Sequence, residues 1–224
     1  MASKKKGEFS LKFVISLPLI AALILFAVGA YFYNLNKSQN EKSQAETLLV
    51  PEYAYIAGNK DAKVTVVEFF DPACPACAAK APSVARIPEL YNYQVRVVYR
   101  SLALHNGSDL VLSLLEAAKE QGKFKEALAA FSAYYTNWFV NNKTDAFTAW
   151  GVLEKSGVDL EKAKIFLDNN QAKIDDMLRQ NMEDAAALEV DSTPTFFVNG
   201  IKIKQNELIA AIESELIKSY EGEK

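Results

Sequence analysis

The chain has 224 residues, 50% of them hydrophobic and 24% charged, with 25 Lys and Arg against 28 Asp and Glu for a formal net charge of -3. This is the composition of a folded chain with a sizeable core and excludes an intrinsically disordered one. Lys4, Lys5, Lys6 and Lys12 stand against Glu8 in the first twelve residues, so the remainder is more acidic than the total and gives no electrostatic basis for binding nucleic acid.

Residues 13–33, FVISLPLIAALILFAVGAYFY, contain no charge and match the roughly 20 apolar residues that cross a bilayer as a helix. The lysines before this run predict a cytoplasmic tail over residues 1–12. Tyr31, Phe32 and Tyr33 suit the far interface and place the rest of the chain outside the cytoplasm. Val28-Gly29-Ala30 offers small residues at which a secretory signal could be cleaved, and both readings export the domain beyond it. Residues 34–50 begin with a polar stretch lacking apolar periodicity, which predicts a tether.

From Pro51 the pattern is that of one globular domain, 51–224. Val64 to Phe70, VTVVEFF, is β-branched and aromatic and predicts a buried strand. Asp71-Pro72-Ala73 breaks it, and Cys74 stands where a helix begins, with Pro75 at the first-turn position that proline favours. A second strand is expected over Val95 to Arg100. Residues from about 101 to 190 read mostly as helices: Asp109 to Gln121, Lys123 to Trp138, Thr144 to Lys155, Leu160 to Asn169 and Asn170 to Leu188. Phe131, Tyr134, Tyr135, Trp138 and Phe139 recur there at helical spacing, as core packing does. Thr195 to Val198, Asn199-Gly200 and Ile201 to Lys204 predict a hairpin, and Leu208, Ile212 and Leu216 line one face of a closing helix. The order predicts a small mixed sheet covered by helices, with a helical insertion between its halves.

Cys74 and Cys77 are the only two cysteines. A thiol is reactive in exchange as a thiolate, and the N-H groups and partial positive charge of a helix start favour that form at Cys74. Cys77, one turn later, can attack a mixed disulfide made by Cys74. A static disulfide and a metal site are the alternatives. Tetrahedral zinc needs two more ligands and the chain offers one histidine, His105, while Cu(I) tolerates two thiolates.

The segment Glu68 to Pro82, EFFDPACPACAAKAP, and the segment Val190 to Gly200, VDSTPTFFVNG, together resemble the thioredoxin superfamily and its DsbA-like branch of exported thiol-disulfide oxidoreductases. The resemblance implies an α/β thioredoxin fold with a DsbA-like helical insertion, here preceded by one transmembrane helix. It implies that Cys74 is the nucleophile and Cys77 the resolving thiol, and that Glu68 relays protons from beneath them. Pro194, after Thr193, corresponds to the family's cis-proline, and Thr193, Pro194, Pro75 and Ala76 would meet the substrate. Ala81-Pro82 resembles the kink of the active-site helix.

The resemblance implies no cofactor beyond a Cys74-Cys77 disulfide, and no metal. Its implied partners are exported cysteine-containing proteins and a membrane redox partner, at the bacterial inner membrane with the N-terminus cytoplasmic. Pro75-Ala76 lacks the histidine that DsbA carries between its cysteines, so the expected disulfide is less oxidising than DsbA's. Oxidation of substrates is the leading direction, and reduction or isomerisation for a dedicated substrate stays open.

Overall fold

The computed structural model describes residues 25, 26, 28–34, 37 and 46–222. Two units divide near residue 44. In the first, residues 28–34 are helical. The basic tail over 1–12 and most of the expected span over 13–33 lie outside the described residues. Among the described residues no helix is long and apolar enough to cross a membrane.

The second unit is built on a five-stranded sheet. Strands β1 (Tyr55–Ala57), β2 (Val64–Phe70), β3 (Val95–Ser101), β6 (Thr195–Val198) and β7 (Ile201–Ile203) lie in the order β1-β3-β2-β6-β7. Only β2 and β3 are parallel, and the other neighbours are antiparallel. The parallel pair needs a crossover, which α1 (Pro75–Ala85) and α2 (Ile87–Leu90) supply. Between β3 and β6 stand α3 (Ser108–Glu120), α4 (Phe124–Ala133), α5 (Tyr135–Trp138), the small ladder of β4 (Phe139–Val140) with β5 (Lys143–Thr144), α6 (Ala146–Lys155) and α7 (Leu160–Ala187). A final helix, α8 (Leu208–Glu221), closes the chain.

Alternation along β2 divides the core. Val64, Val66 and Phe70 face one cluster with Cys77, Val84 and the insertion's Leu115, Phe131 and Trp138. Val67 and Phe69 face a second with Val98, Leu102, Ala185 and Phe197. Such two-sided burial is why VTVVEFF shows no polar alternation apart from Thr65 and Glu68. The hairpin of β6 and β7 turns at Asn199 and Gly200, whose φ values of 47° and 84° fit the left-handed pair that an Asn-Gly turn supplies.

Several expectations need correction. The tether does not extend to residue 50, because residues 46–49 are helical and Leu49 is buried in the second cluster. Leu48-Leu49-Val50 is apolar enough to leave water for that core. Leu160 to Leu188, expected as two helices, holds the single helix α7, which ends at Ala187 with Leu188 as its cap. Lys123 to Trp138, expected as one, breaks at Tyr134, where φ and ψ of -100° and 20° leave the helical range.

Candidate dithiol site

Cys74 is the residue before α1, with extended backbone at φ -79° and ψ 121°, and Pro75 opens the helix. Proline costs nothing there because the first-turn N-H groups have no intrahelical acceptor. Pro75 and Ala76 are exposed, whereas Cys74 is 6% and Cys77 3% exposed. Both sulfurs are free thiols. The Cys74 Sγ donates to the Thr193 carbonyl at 3.2 Å, which brings the loop before β6 against this sulfur. The Thr193-Pro194 bond is cis, and Pro194 is buried.

The two thiols are driven apart in acidity. Hydrogen bonding from Cys77 holds Cys74 down to about 5, against burial, with the Thr193 side chain and the backbone N-H groups of Cys77 and Ala76 adding to the effect. Cys77 is pushed up by that same bond and by burial, and the Asp71 backbone N-H opposes the rise. An acidic outer thiol beside a buried, proton-retaining one is the asymmetry that ordered exchange requires.

Glu68 lies on β2 at 2% exposure. Burial pushes its carboxyl up to about 8, with Lys80 opposing and the Cys74 charge reinforcing the rise. Glu68 and Cys77 line one small cavity of about 10 Å³, with Phe70, Pro72, Phe131 and Ser132 also in its wall. That is the lower limit for a single water. Lys80 acts here only as a nearby positive charge on Glu68.

Three further residues frame the thiols without a signal in the sequence pattern. Asp71, fully buried, accepts from the backbone N-H groups of Ala73, Leu104 and His105, from His105 Nδ1 at 2.7 Å and from Ser108 Oγ at 2.7 Å. Its carbonyl takes the Cys74 N-H at 3.0 Å. Tyr135 donates its hydroxyl to the Ala73 carbonyl at 2.9 Å, and Ser132 Oγ donates to the Ala78 carbonyl. The lone histidine, ambiguous in sequence, thus belongs to the Asp71 cluster beside the dithiol. Among the described residues no group of three or more His, Cys, Asp or Glu side chains is placed to hold a metal ion.

A mixed sheet with one parallel pair, an N-terminal helix dithiol and a facing cis-proline define a thioredoxin-fold dithiol protein. A family model described as thioredoxin matches residues 51–218, and the chain belongs to that family. It is 30% identical over 183 residues to a protein of Rickettsia bellii named as a protein-disulfide oxidoreductase, covering 77% of this chain and 68% of that protein. A thioredoxin-like oxidoreductase from Silicibacter pomeroyi DSS-3 superposes with a TM-score of 0.63 at 26% identity, covering 75% of this chain and 95% of that one.

The thiol-disulfide exchange protein α-DsbA2 of Wolbachia pipientis superposes with a TM-score of 0.67 at 16% identity, over 81% of this chain and 96% of that one, a likeness of fold. The chain is also 26% identical over 175 residues to a Na(+)/H(+) antiporter, NhaA 1, of Salinispora arenicola, covering 77% of this chain and 26% of the antiporter. It therefore spans about a quarter of the length of that curated relative.

Proposed function

We propose that the chain is a thiol-disulfide oxidoreductase that oxidises exported proteins through Cys74-Pro75-Ala76-Cys77. The observation that carries this reading is the Cys74 thiol at the start of α1, held down to about 5 beside the buried Cys77. In the first step a substrate thiolate attacks the Cys74 sulfur of the Cys74-Cys77 disulfide. The intramolecular S-S bond breaks and a Cys74-substrate bond forms. Cys77 leaves as a thiolate and takes a proton from Glu68, which a carboxyl held up to about 8 still carries at neutral pH.

A second substrate thiolate then attacks the substrate sulfur of the mixed disulfide, and Cys74 leaves. A thiol of low pKa leaves readily, so the acidity of Cys74 supports this direction over reduction. The substrate loses two electrons and the protein gains them as a dithiol, so a membrane partner that accepts two electrons must regenerate the disulfide. The Thr193 carbonyl meets the Cys74 sulfur just before Pro194, and Pro75 and Ala76 follow Cys74 as exposed residues, which supports these four as the ground on which a docked peptide would lie.

The expected outcome of mutation is asymmetric. Cys74→Ala abolishes exchange, whereas Cys77→Ala accumulates mixed disulfides resolvable on non-reducing gels. Accumulation by Cys74→Ala instead would overturn the assignment of the nucleophile.

The uncharged run over residues 13–33 supports a single-pass anchor in the bacterial inner membrane, with the domain outside the cytoplasm. Alkaline carbonate should then leave the full chain in the membrane pellet, and its release into the supernatant would contradict the anchor.

A further inference from the structure

Pro82 lies inside α1. Its ring nitrogen has no hydrogen, so the carbonyl of Ala78, four residues earlier, loses its helical donor. Ala78 is the residue after the resolving thiol, and its own N-H donates to the Cys74 carbonyl at 3.0 Å. The missing donor is replaced from another element: Ser132 Oγ, on α4 of the insertion, donates to the Ala78 carbonyl. Ser132 also lines the small cavity shared by Glu68 and Cys77. Its hydroxyl therefore holds the turn that carries Cys77 from one side, while Cys74 holds it from the other.

We infer that Ser132 is a positioning residue for thiol-disulfide exchange: its hydroxyl replaces the N-H that Pro82 lacks and fixes the Cys77 turn in reach of a mixed disulfide on Cys74. This rests on the proposed exchange at the same two cysteines. The step affected is the intramolecular, disulfide-forming one: the Cys77 thiol gives up its proton, its sulfur attacks the Cys74 sulfur of the mixed disulfide, the S-S bond from Cys74 to the bound partner breaks as the Cys74-Cys77 bond forms, and the departing thiolate takes up a proton. An intramolecular attack depends steeply on alignment, and small misplacements of the attacking group slow it by one or two orders of magnitude.

The test monitors the purified full chain, reduced and then mixed with oxidised glutathione, by stopped flow. The first phase forms the Cys74-glutathione mixed disulfide and the second, first-order phase releases glutathione as Cys77 attacks. Ser132→Ala should slow the second phase about tenfold and leave the first within about twofold, and Ser132→Thr, which keeps a hydroxyl, should restore it. Pro82→Ala returns an N-H to the helix for Ala78. In that background Ser132→Ala should change the second phase by less than about twofold, a dependence that general loss of stability would not produce.

An unchanged second phase in Ser132→Ala, or an equal slowing in both backgrounds, overturns the inference. A parent protein that forms no mixed disulfide with glutathione overturns the exchange reading itself.

Discussion

Cys74 and Cys77 share a side chain and sit one helical turn apart, yet their surroundings move them in opposite directions. Cys74 is at the helix mouth with donors around it, and Cys77 is enclosed by Phe131, Ala81 and the Glu68 carboxyl. Glu68 gives a test at this scale. Its carboxyl moves from an ordinary 4.5 to about 8, chiefly through burial, so the folded protein keeps a proton that the unfolded chain has lost. In that window the native state binds more protons than the unfolded one, and the Glu68 contribution to stability falls as pH rises from 4.5 to 8.

Glu68→Gln removes this titration. In the oxidised protein, where no Cys74 thiolate contributes, the variant should gain on the parent progressively up to about pH 8 and show no such gain below about pH 4. Parallel pH profiles in chemical denaturation would contradict the burial of a protonatable Glu68.

The residues that make the pair useful were partly legible. Cys74, Cys77 and Glu68 stand within one short segment, and spacing alone brings them to a strand and the helix after it. Asp71, Ser132 and Tyr135 were not, because their partners lie 34, 54 and 62 positions away in the chain. Only the packing of the insertion onto α1 brings those groups together.

At the scale of elements, the long helix α7 is fixed to the sheet by a polar knot. Arg100 on β3 is fully buried, and its guanidinium donates to Asp184 at 2.6 Å, to Asn181 at 2.9 Å and to the Leu48 carbonyl. One side chain thus ties together β3, α7 and the segment that leads into the domain. Removing the acidic partner alone leaves a buried cation uncompensated, so Asp184→Ala should cost about 3–5 kcal/mol. Urea denaturation with an unchanged m-value measures it, and a loss under about 1 kcal/mol would mean that the knot adds little.

The same elements explain what sequence pattern could and could not resolve. The β-branched runs of β2 and β3 and the Asn-Gly hairpin carry local signals. The polar pair Asn169-Asn170 looks like a break, but each amide donates back to a carbonyl four residues earlier, of Ile165 and Phe166, and α7 continues through them. Strands as short as β1, β4 and β5 exist because of the neighbours they pair with, which no local pattern records.

Over the whole molecule, one hydrophobic cluster runs from the sheet and α1 into the insertion, through Val66, Cys77, Phe131, Trp138 and Leu153. The insertion is therefore packed against α1, the helix that carries the dithiol, as part of a common core. It supplies the Ser132 and Tyr135 contacts and, from the chain leading into α3 and the first residue of that helix, the His105 and Ser108 contacts around Asp71.

The reduction potential of the Cys74/Cys77 pair, equilibrated against glutathione in the full chain, decides the direction of exchange. A stabilised Cys74 thiolate favours the dithiol, and a potential below DsbA's about -120 mV but above about -180 mV is the predicted result. A value below about -220 mV would contradict the oxidising direction and assign the site to a reductase supplied with electrons.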